Sequence, residues 1–101
     1  MEIIKKAEYK GMIMKHLGES FIENNDMIYD YRTNGLLGGF ELNTDLETMD
    51  KIKKNLYEEG IFCYSRGKFI FTAPPLTIDQ DLLFNTMHKI NTVIYNNSNK
   101  N

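Results

Sequence analysis

The segment Lys68–Leu76, with the sequence KFIFTAPPL, constrains the fold more than any other part of the chain. Its first half is rich in aromatic and apolar residues, as in a buried strand. The two prolines must end that strand, because proline lacks a backbone donor and fixes φ. Thr77 and Gln80 then form a predicted capping box, in which each side chain accepts from the other residue's backbone N–H group. The sequence therefore predicts a strand, a rigid corner and a helix that begins at Ile78. That helix is expected to carry Leu83, Met87, Ile90 and Ile94 on one face.

Hydrophobic spacing and turn signals divide the rest of the chain. Apolar residues three, four or seven apart predict a first helix over residues 2–17, with its end near Phe21. A capping box at Thr44 opens a second helix, which carries Leu46, Met49, Ile52 and Leu56 inward. Gly60 is expected just after the end of that helix, at C′. The predicted strands are Met27–Tyr31, Leu36–Leu42, Ile61–Tyr64 and Lys68–Ala73.

Two short turns join these strands into hairpins. Asn34 and Gly35 give the Asn-Gly signal of a tight turn, and the second turn is predicted over Ser65–Gly67. Gly38 and Gly39 lie inside a predicted strand, which indicates a close approach of another group or a bulge. The element order is then α-β-β-α-β-β-α. It predicts an α+β, two-layer domain over residues 1–95, with a mostly antiparallel sheet covered on one face by helices and a polar, disordered tail over 96–101.

Composition excludes several classes of function. The chain of 101 residues has a formal net charge of −2 and no basic run longer than two lysines, so we expect no nucleic-acid partner. No apolar run is long enough to span a membrane, and the first residues lack the apolar core of a signal peptide, so we expect no membrane partner. The single cysteine, Cys63, excludes an internal disulfide and a cysteine-built zinc site, and it favours a reducing cytoplasm.

Few residues carry chemistry at a recognisable spacing, and the sequence predicts no catalytic group and no metal site. Cys63 lies within a predicted strand and is interpreted as a small buried apolar residue. Arg32 and Arg66 each lie beside a turn, where a guanidinium group suits recognition of a carboxylate or phosphate. A surface salt bridge is an equally good interpretation of each arginine.

Two stretches resemble the class III aminotransferases, which are pyridoxal-phosphate (PLP) enzymes of fold type I. YRTNGLLGGFEL, from Tyr31 to Leu42, is similar to their strand pattern of arginine, glycines, leucine and a final apolar-glutamate-apolar triplet. GIFCYSRGKFIFTAPPLTIDQD, from Gly60 to Asp81, is similar to their closing segment, in which A-P-P-L precedes the last helix. The resemblance implies the small C-terminal domain of such an enzyme.

The resemblance also implies roles for individual residues. Many members of the family bind the substrate carboxylate with an arginine four residues after the glycine that ends the second helix, and Tyr64 occupies that position. Arg66 lies two residues further on and is the expected substitute. Other relatives place an arginine where Phe71 stands, and Thr33 replaces the first glycine of the strand pattern. The substrate-binding candidates are therefore Arg66, Arg32 and Tyr64, and the residues that fall on the strand pattern are Arg32, Gly35, Leu36, Leu37, Gly39 and Glu41.

In the family, the large domain holds the lysine that binds PLP, and this chain resembles none of that region. The resemblance thus implies PLP in the complete enzyme, none bound to this fragment alone, and no activity of the fragment alone. A free-standing α+β binding module and a remnant without function remain alternatives. Strands with two apolar faces need cover on both sides, so we expect either a missing large aminotransferase domain as partner or self-association, most simply as a dimer.

Overall fold

The order of helices and strands in the computed structural model is the predicted one. The structure describes residues 2–34, 37–73 and 78–98, and side chains are described for 9–33, 37–73 and 78–97. Within those residues the chain forms three helices and four strands. They are α1 (Glu2–Asn24), β1 (Ile28–Asn34), β2 (Leu37–Leu42), α2 (Leu46–Glu58), β3 (Tyr64–Arg66), β4 (Phe69–Thr72) and α3 (Gln80–Ser98).

The four strands form one antiparallel sheet in the order β1-β2-β4-β3. Each hairpin is a local pair, and the two hairpins meet along β2 and β4, where Phe40 lies opposite Ile70. β1 pairs with β2 up to Asn34 and Leu37, so the predicted Asn-Gly turn falls partly on positions 35 and 36, outside the described residues. The antiparallel sheet of the prediction is confirmed.

The core lies between one face of the sheet and the helices. Successive strand residues point to opposite faces, so Tyr31, Phe40 and Ile70 point to the helices and are buried. Helices α1 and α3 pack against each other, and α2 packs on α3. The predicted apolar stripe of α3 is confirmed, since all of its residues are buried: Leu83, Met87, Ile90 and Ile94.

Helix α1 continues beyond the predicted range and ends at Asn24 rather than near Phe21. Asn25, which is buried, ends the helix. Its side-chain oxygen accepts from the N–H of Met27 at 3.2 Å, and its Nδ2 donates to Oδ1 of Asn91 on α3 at 3.0 Å. The Asn25 side chain thus closes the turn into β1 and joins the first helix to the last.

Helix α2 has a different cap from the predicted one. Oδ1 of Asp45, not the Thr44 hydroxyl, accepts from the N–H of Thr48 at 2.8 Å. Leu46, the first residue of the helix, is 62% exposed, whereas Thr48 is buried. The prediction of Leu46 in the core was wrong, because at 3.6 residues per turn Leu46 lies roughly 100° from the centre of the stripe that Thr48, Met49, Ile52 and Leu56 form.

The end of α2 follows the prediction. Gly60 has a φ of +82°, a conformation that glycine adopts without steric cost. Its N–H donates to the carbonyl of Tyr57 at 2.9 Å, and the N–H of Ile61 donates to that of Leu56 at 2.9 Å. These are the two hydrogen bonds of a Schellman motif, and the buried side chains of Leu56 and Ile61 supply its apolar contact.

Helix α3 begins at Gln80, later than the predicted start at Ile78. Oδ2 of Asp79 accepts from the N–H groups of Asp81 at 3.1 Å and Leu82 at 3.3 Å. The predicted cap Thr77 lies outside the described residues, so the cap that is described belongs to Asp79. The helix runs past the predicted domain end at residue 95, and Nδ2 of Asn97 donates to Oδ1 of Asn55 on α2 at 3.1 Å.

Candidate functional site

The face of the sheet that points away from the helices carries all three substrate-binding candidates. We call this the outer face. Two of its rows follow from the strand register, since each row joins one residue from every strand. One row contains Arg32, Gly39, Phe71 and Tyr64, and the other contains Asp30, Glu41, Phe69 and Arg66.

Tyr64 and Arg66 lie together because the second hairpin differs from the predicted one. The sequence predicted a strand over Ile61–Tyr64 and a turn through Arg66. In the structure β3 covers Tyr64–Arg66, Arg66 pairs with Phe69, and the turn consists of Gly67 and Lys68. Residues two apart in a strand share a face, so Tyr64 and Arg66 both point outward, and both are exposed.

The strand starts late because Ile61 and Phe62 make contacts with α2. Ile61 completes the Schellman motif, and the ring of Phe62 packs against Tyr57 of α2 with centroids 5.3 Å apart. Cys63 therefore precedes β3 and is half-buried, whereas the sequence placed it inside a strand. Burial raises the pKa of the Cys63 thiol to about 11, which keeps the thiol protonated and unreactive at neutral pH.

Aromatic rings form the centre of the outer face. Phe69 and Phe71 stack with their ring centroids 5.9 Å apart and their planes at 13°. Tyr64 meets Phe71 edge-on at 5.6 Å. Phe71 also leans over Gly39, where an added Cβ would lie 3.1 Å from its ring. Of the two structures predicted for Gly38 and Gly39, a close approach or a bulge, the close approach is the one found. A register shift does occur in the sheet, but it lies in β1 between Ile28 and Asp30.

Arg32 and Arg66 share the outer face but lie on the two opposite edge strands of the sheet, β1 and β3. Both β2 and β4 separate them, so three strand spacings, roughly 14 Å, lie between their backbones. Nε of Arg32 donates to Oδ2 of Asp30 at 3.0 Å, with the two side chains 76% and 37% exposed. The salt-bridge interpretation therefore holds for Arg32. Among the described residues, Arg66 and Glu41 have no ion-pair partner.

The charges of the outer face are unevenly distributed. Asp30 and Glu41 lie on β1 and β2, where Arg32 pairs with Asp30 and leaves Glu41 as the unpaired carboxylate among the described residues of this face, and Arg66 lies on β3 with Lys68 in the adjacent turn. A cavity of about 450 Å³ borders Arg66, Gly67, Lys68, Phe69 and Phe71. This basic, aromatic end of the face can receive an anion such as a carboxylate, which Arg66 would bind with two parallel hydrogen bonds.

A larger cavity, of about 850 Å³, lies on the helix side between α1 and the start of α3. Charged groups of both signs, Lys15, Glu19 and Asp81, border it together with His16 and apolar side chains. It contains none of the residues that the sequence singles out for binding. Its volume alone assigns it no ligand, and the outer face is the better candidate site.

The described residues do not by themselves fit PLP. A lysine that reacts with the cofactor carbonyl must have a depressed pKa, usually through burial or a cationic neighbour. Every lysine whose side chain is described is exposed or half-buried, and the cavities that border the outer face contain only Lys68, at its rim. In the same described residues, no group of three or more His, Cys, Asp or Glu side chains could hold a metal ion.

Sequence reasoning identified the outer-face arginines but missed the residues around them. It assigns Asp30 no role, gives Glu41 only a place in the strand pattern, and favours Phe69 and Phe71 as core. The period-2 alternation of β4 contained the signal, because Ile70 and Thr72 take the buried positions and leave both phenylalanines on the other face. In the described part of the chain, no helix is long and apolar enough to cross a membrane.

Comparison with known proteins extends this picture. The sequence model of the family Aminotransferase class-III matches residues 1–94. The leucine/methionine racemase of Thermococcus litoralis is 34% identical over 102 residues, which cover 92% of this chain and 23% of the racemase. The acetylornithine aminotransferase of Elizabethkingia anophelis is 28% identical with a TM-score of 0.83, over 92% of this chain and 25% of that one.

The taurine:2-oxoglutarate aminotransferase of Bifidobacterium kashiwanohense, solved with PLP and glutamate, shares the fold. It is 20% identical with a TM-score of 0.84, over 97% of this chain and 25% of that one. This chain therefore spans about a quarter of the length of the relatives that it matches.

Proposed function

Since this chain belongs to the class III aminotransferase family, we propose that it acts as the small C-terminal domain of a PLP-dependent enzyme. One observation carries the proposal. The chain matches the family over residues 1–94, yet it corresponds to about a quarter of its relatives and leaves the outer face of its sheet partly exposed. The large domain that makes up the remainder of such an enzyme would cover that face and hold the cofactor.

In the complete enzyme, PLP supplies the electron sink for reactions of amino acids. The part proposed for this chain is to bind and orient the substrate. Arg66 would bind its carboxylate, and Tyr64, two residues earlier on the same strand face, would border the same group. Arg32 is the weaker candidate, because Asp30 already occupies its guanidinium group.

The reaction that we propose for the complete enzyme is amino-group transfer to a keto acid. Racemisation of an amino acid is the second candidate, because the relative that is 34% identical is a leucine/methionine racemase. Both reactions use an amino acid with a free carboxylate, so both are compatible with the role proposed for Arg66. The chain alone would catalyse neither.

A chimera tests the proposal. The matched segment of the T. litoralis racemase, 23% of its length, would be replaced by this chain. We expect the chimera to bind PLP and to act on an amino acid. The control is the truncated racemase, which lacks the matched segment and has no replacement for it, and we expect it to do neither. A chimera that is as inactive and cofactor-free as the truncated racemase would contradict the proposal.

Arg66→Lys and Arg66→Gln chimeras then test the carboxylate role. Loss of a charge-assisted, two-bond contact should raise KM for the amino acid more than it lowers kcat, with the lysine variant less affected than the glutamine variant. Lys51→Gln on the exposed side of α2 removes one positive charge elsewhere and serves as the matched control.

We propose that the chain, when no large domain covers it, self-associates through the outer face. We also propose a cytoplasmic location, because a single half-buried cysteine suits a reducing compartment.

A further inference from the structure

We propose that two copies of this chain pair outer face to outer face, about a two-fold axis parallel to the strands, so that Arg66 of each copy lies opposite Asp30 and beside Glu41 of the other. The inference deepens the self-association proposed above by naming its geometry and its contacts. It uses the described residues of the isolated chain and does not need PLP or a large domain.

The apolar centre of the outer face gives such a dimer its stability. Phe69 and Phe71 are only half-buried in the single chain, and Leu37 and Tyr64 are exposed beside them. Stacked sheets pack about 10 Å apart with interdigitating side chains, which is the separation that rings on both faces can fill. Removing these rings from water favours association, because the hydrophobic effect grows with the apolar surface that is buried.

The charge pattern determines the orientation. A two-fold axis along the strands reverses the strand order in the second copy, so β1 lies over β3 and β2 lies over β4. The row Asp30–Glu41–Phe69–Arg66 then meets itself in reverse, which places the basic end of each copy over the acidic end of the other. Such an interface is self-complementary, and each ion pair occurs twice.

The strand edges are poorer sites for association. β3 contains only three residues, Tyr64–Arg66, and therefore offers few backbone groups to a new strand. β1 has a register shift between Ile28 and Asp30, which bends its edge. Short edge strands and bulges are the usual protection against edge pairing, so face pairing is the arrangement that this sheet permits.

Charge reversal tests the orientation. Arg66→Glu places a new carboxylate beside Glu41 of the other copy, and Glu41→Arg places two guanidinium groups together. We expect each variant alone to raise the dimer dissociation constant by roughly tenfold or more, because like charges at an interface are costly. In an equimolar mixture the new carboxylate at position 66 of one copy meets the new guanidinium group at position 41 of the other, and the second Arg66–Glu41 pair is unchanged, so a heterodimer should appear. The double variant should dimerise more tightly than Arg66→Glu alone but less tightly than the wild type, because Asp30 still lies opposite the new carboxylate.

The measurements are sedimentation equilibrium of the full chain over a dilution series and native mass spectrometry of the mixture with one variant isotopically labelled. Lys51→Glu and Glu47→Arg, on exposed positions of α2, give the same two kinds of charge reversal away from the outer face and should leave the dissociation constant unchanged. Far-ultraviolet circular dichroism and thermal melts identify any variant that fails to fold. If a single variant does not fold, the double variant is measured in its place.

A compact monomer at all concentrations would overturn the inference. A dimer that both single variants retain, or a mixture that forms no heterodimer, would overturn this orientation. None of these results concerns activity, so the proposed function is tested by the chimera alone. A chimera that fails while the charge-reversed mixture dimerises would overturn the enzyme role alone.

Discussion

The ring of Tyr31 occupies the space that a side chain on Gly18 would need. A Cβ atom on Gly18 would overlap the ring atoms Cδ2 and Cε2 of Tyr31, and one on Gly38 would lie 2.5 Å from its hydroxyl oxygen. The tyrosine of β1 is therefore held between α1 and β2 at two glycines. This contact explains why α1 continues through Gly18, since packing of the ring outweighs the roughly 1 kcal/mol that glycine costs inside a helix.

Gly18→Ala should therefore destabilise the protein, although alanine is the better helix former. The added methyl group must displace a buried ring, and overpacking of this kind costs about 1 to 3 kcal/mol. Chemical denaturation measures the loss. Glu19→Ala, on the exposed neighbouring position, is the control and should change stability little. In a double-mutant cycle, Tyr31→Leu should remove most of the cost of Gly18→Ala; additive effects would show that the ring does not block this position.

Alkaline pH should destabilise the protein through Tyr31. Burial raises the pKa of its hydroxyl from 10 to about 12, a shift that Thr33 opposes and the Glu19 carboxylate reinforces. No hydrogen bond of normal geometry reaches the hydroxyl among the described residues, so burial dominates. The neutral ring is favoured in the folded state. Its contribution, roughly 2 to 3 kcal/mol, is full below pH 10 and is lost as the pH rises through 12.

Tyr31→Phe removes this titration, so the free energy of unfolding of the variant should fall less than that of the wild type between pH 10 and 12. Urea denaturation at a series of pH values measures the difference, and tyrosinate absorbance follows the ionisation directly. Tyr29→Phe, at an exposed position on the same strand, is the control. Parallel stability curves for wild type and Tyr31→Phe would contradict the prediction.

The cap of α2 can be assigned by comparing two adjacent substitutions. Asp45→Ala removes the acceptor for the N–H of Thr48, at 2.8 Å, and should cost about 1 kcal/mol. Thr44→Ala, which the sequence pattern alone would make the damaging change, should cost much less. Thermal melts of both variants decide between them, and the reverse order would restore the capping-box interpretation.

PLP should label this chain without selecting one lysine. The described lysines are exposed or half-buried, so none has the buried, desolvated site that activates a lysine amine as a nucleophile. Incubation with PLP, reduction with borohydride and peptide mapping should give substoichiometric adducts on several lysines. Stoichiometric labelling of a single lysine, with transfer of an amino group to a keto acid, would show that the chain forms a complete site.

Much of the fold follows from local patterns. The element order, the antiparallel sheet, the inward stripe of α3 and the C′ role of Gly60 each depend on residues close together in the chain, and each prediction is confirmed. The start of α2 was wrong by one residue, because Thr44 and Asp45 are both good caps and only the packing of the helix selects between them.

In the candidate site, too, local sequence patterns predict some features and tertiary packing decides the others. Local patterns are enough to place Arg32, Tyr64 and Arg66 near hairpins and to show that the chain resembles part of an aminotransferase. Which of these residues share a face depends on long-range packing. The Schellman turn and the Phe62–Tyr57 contact delay β3 to Tyr64, and this delay puts Arg66 into the strand and beside the aromatic cluster. Side chains alternate with a period of two, so contacts made by another element determine which groups form the outer face.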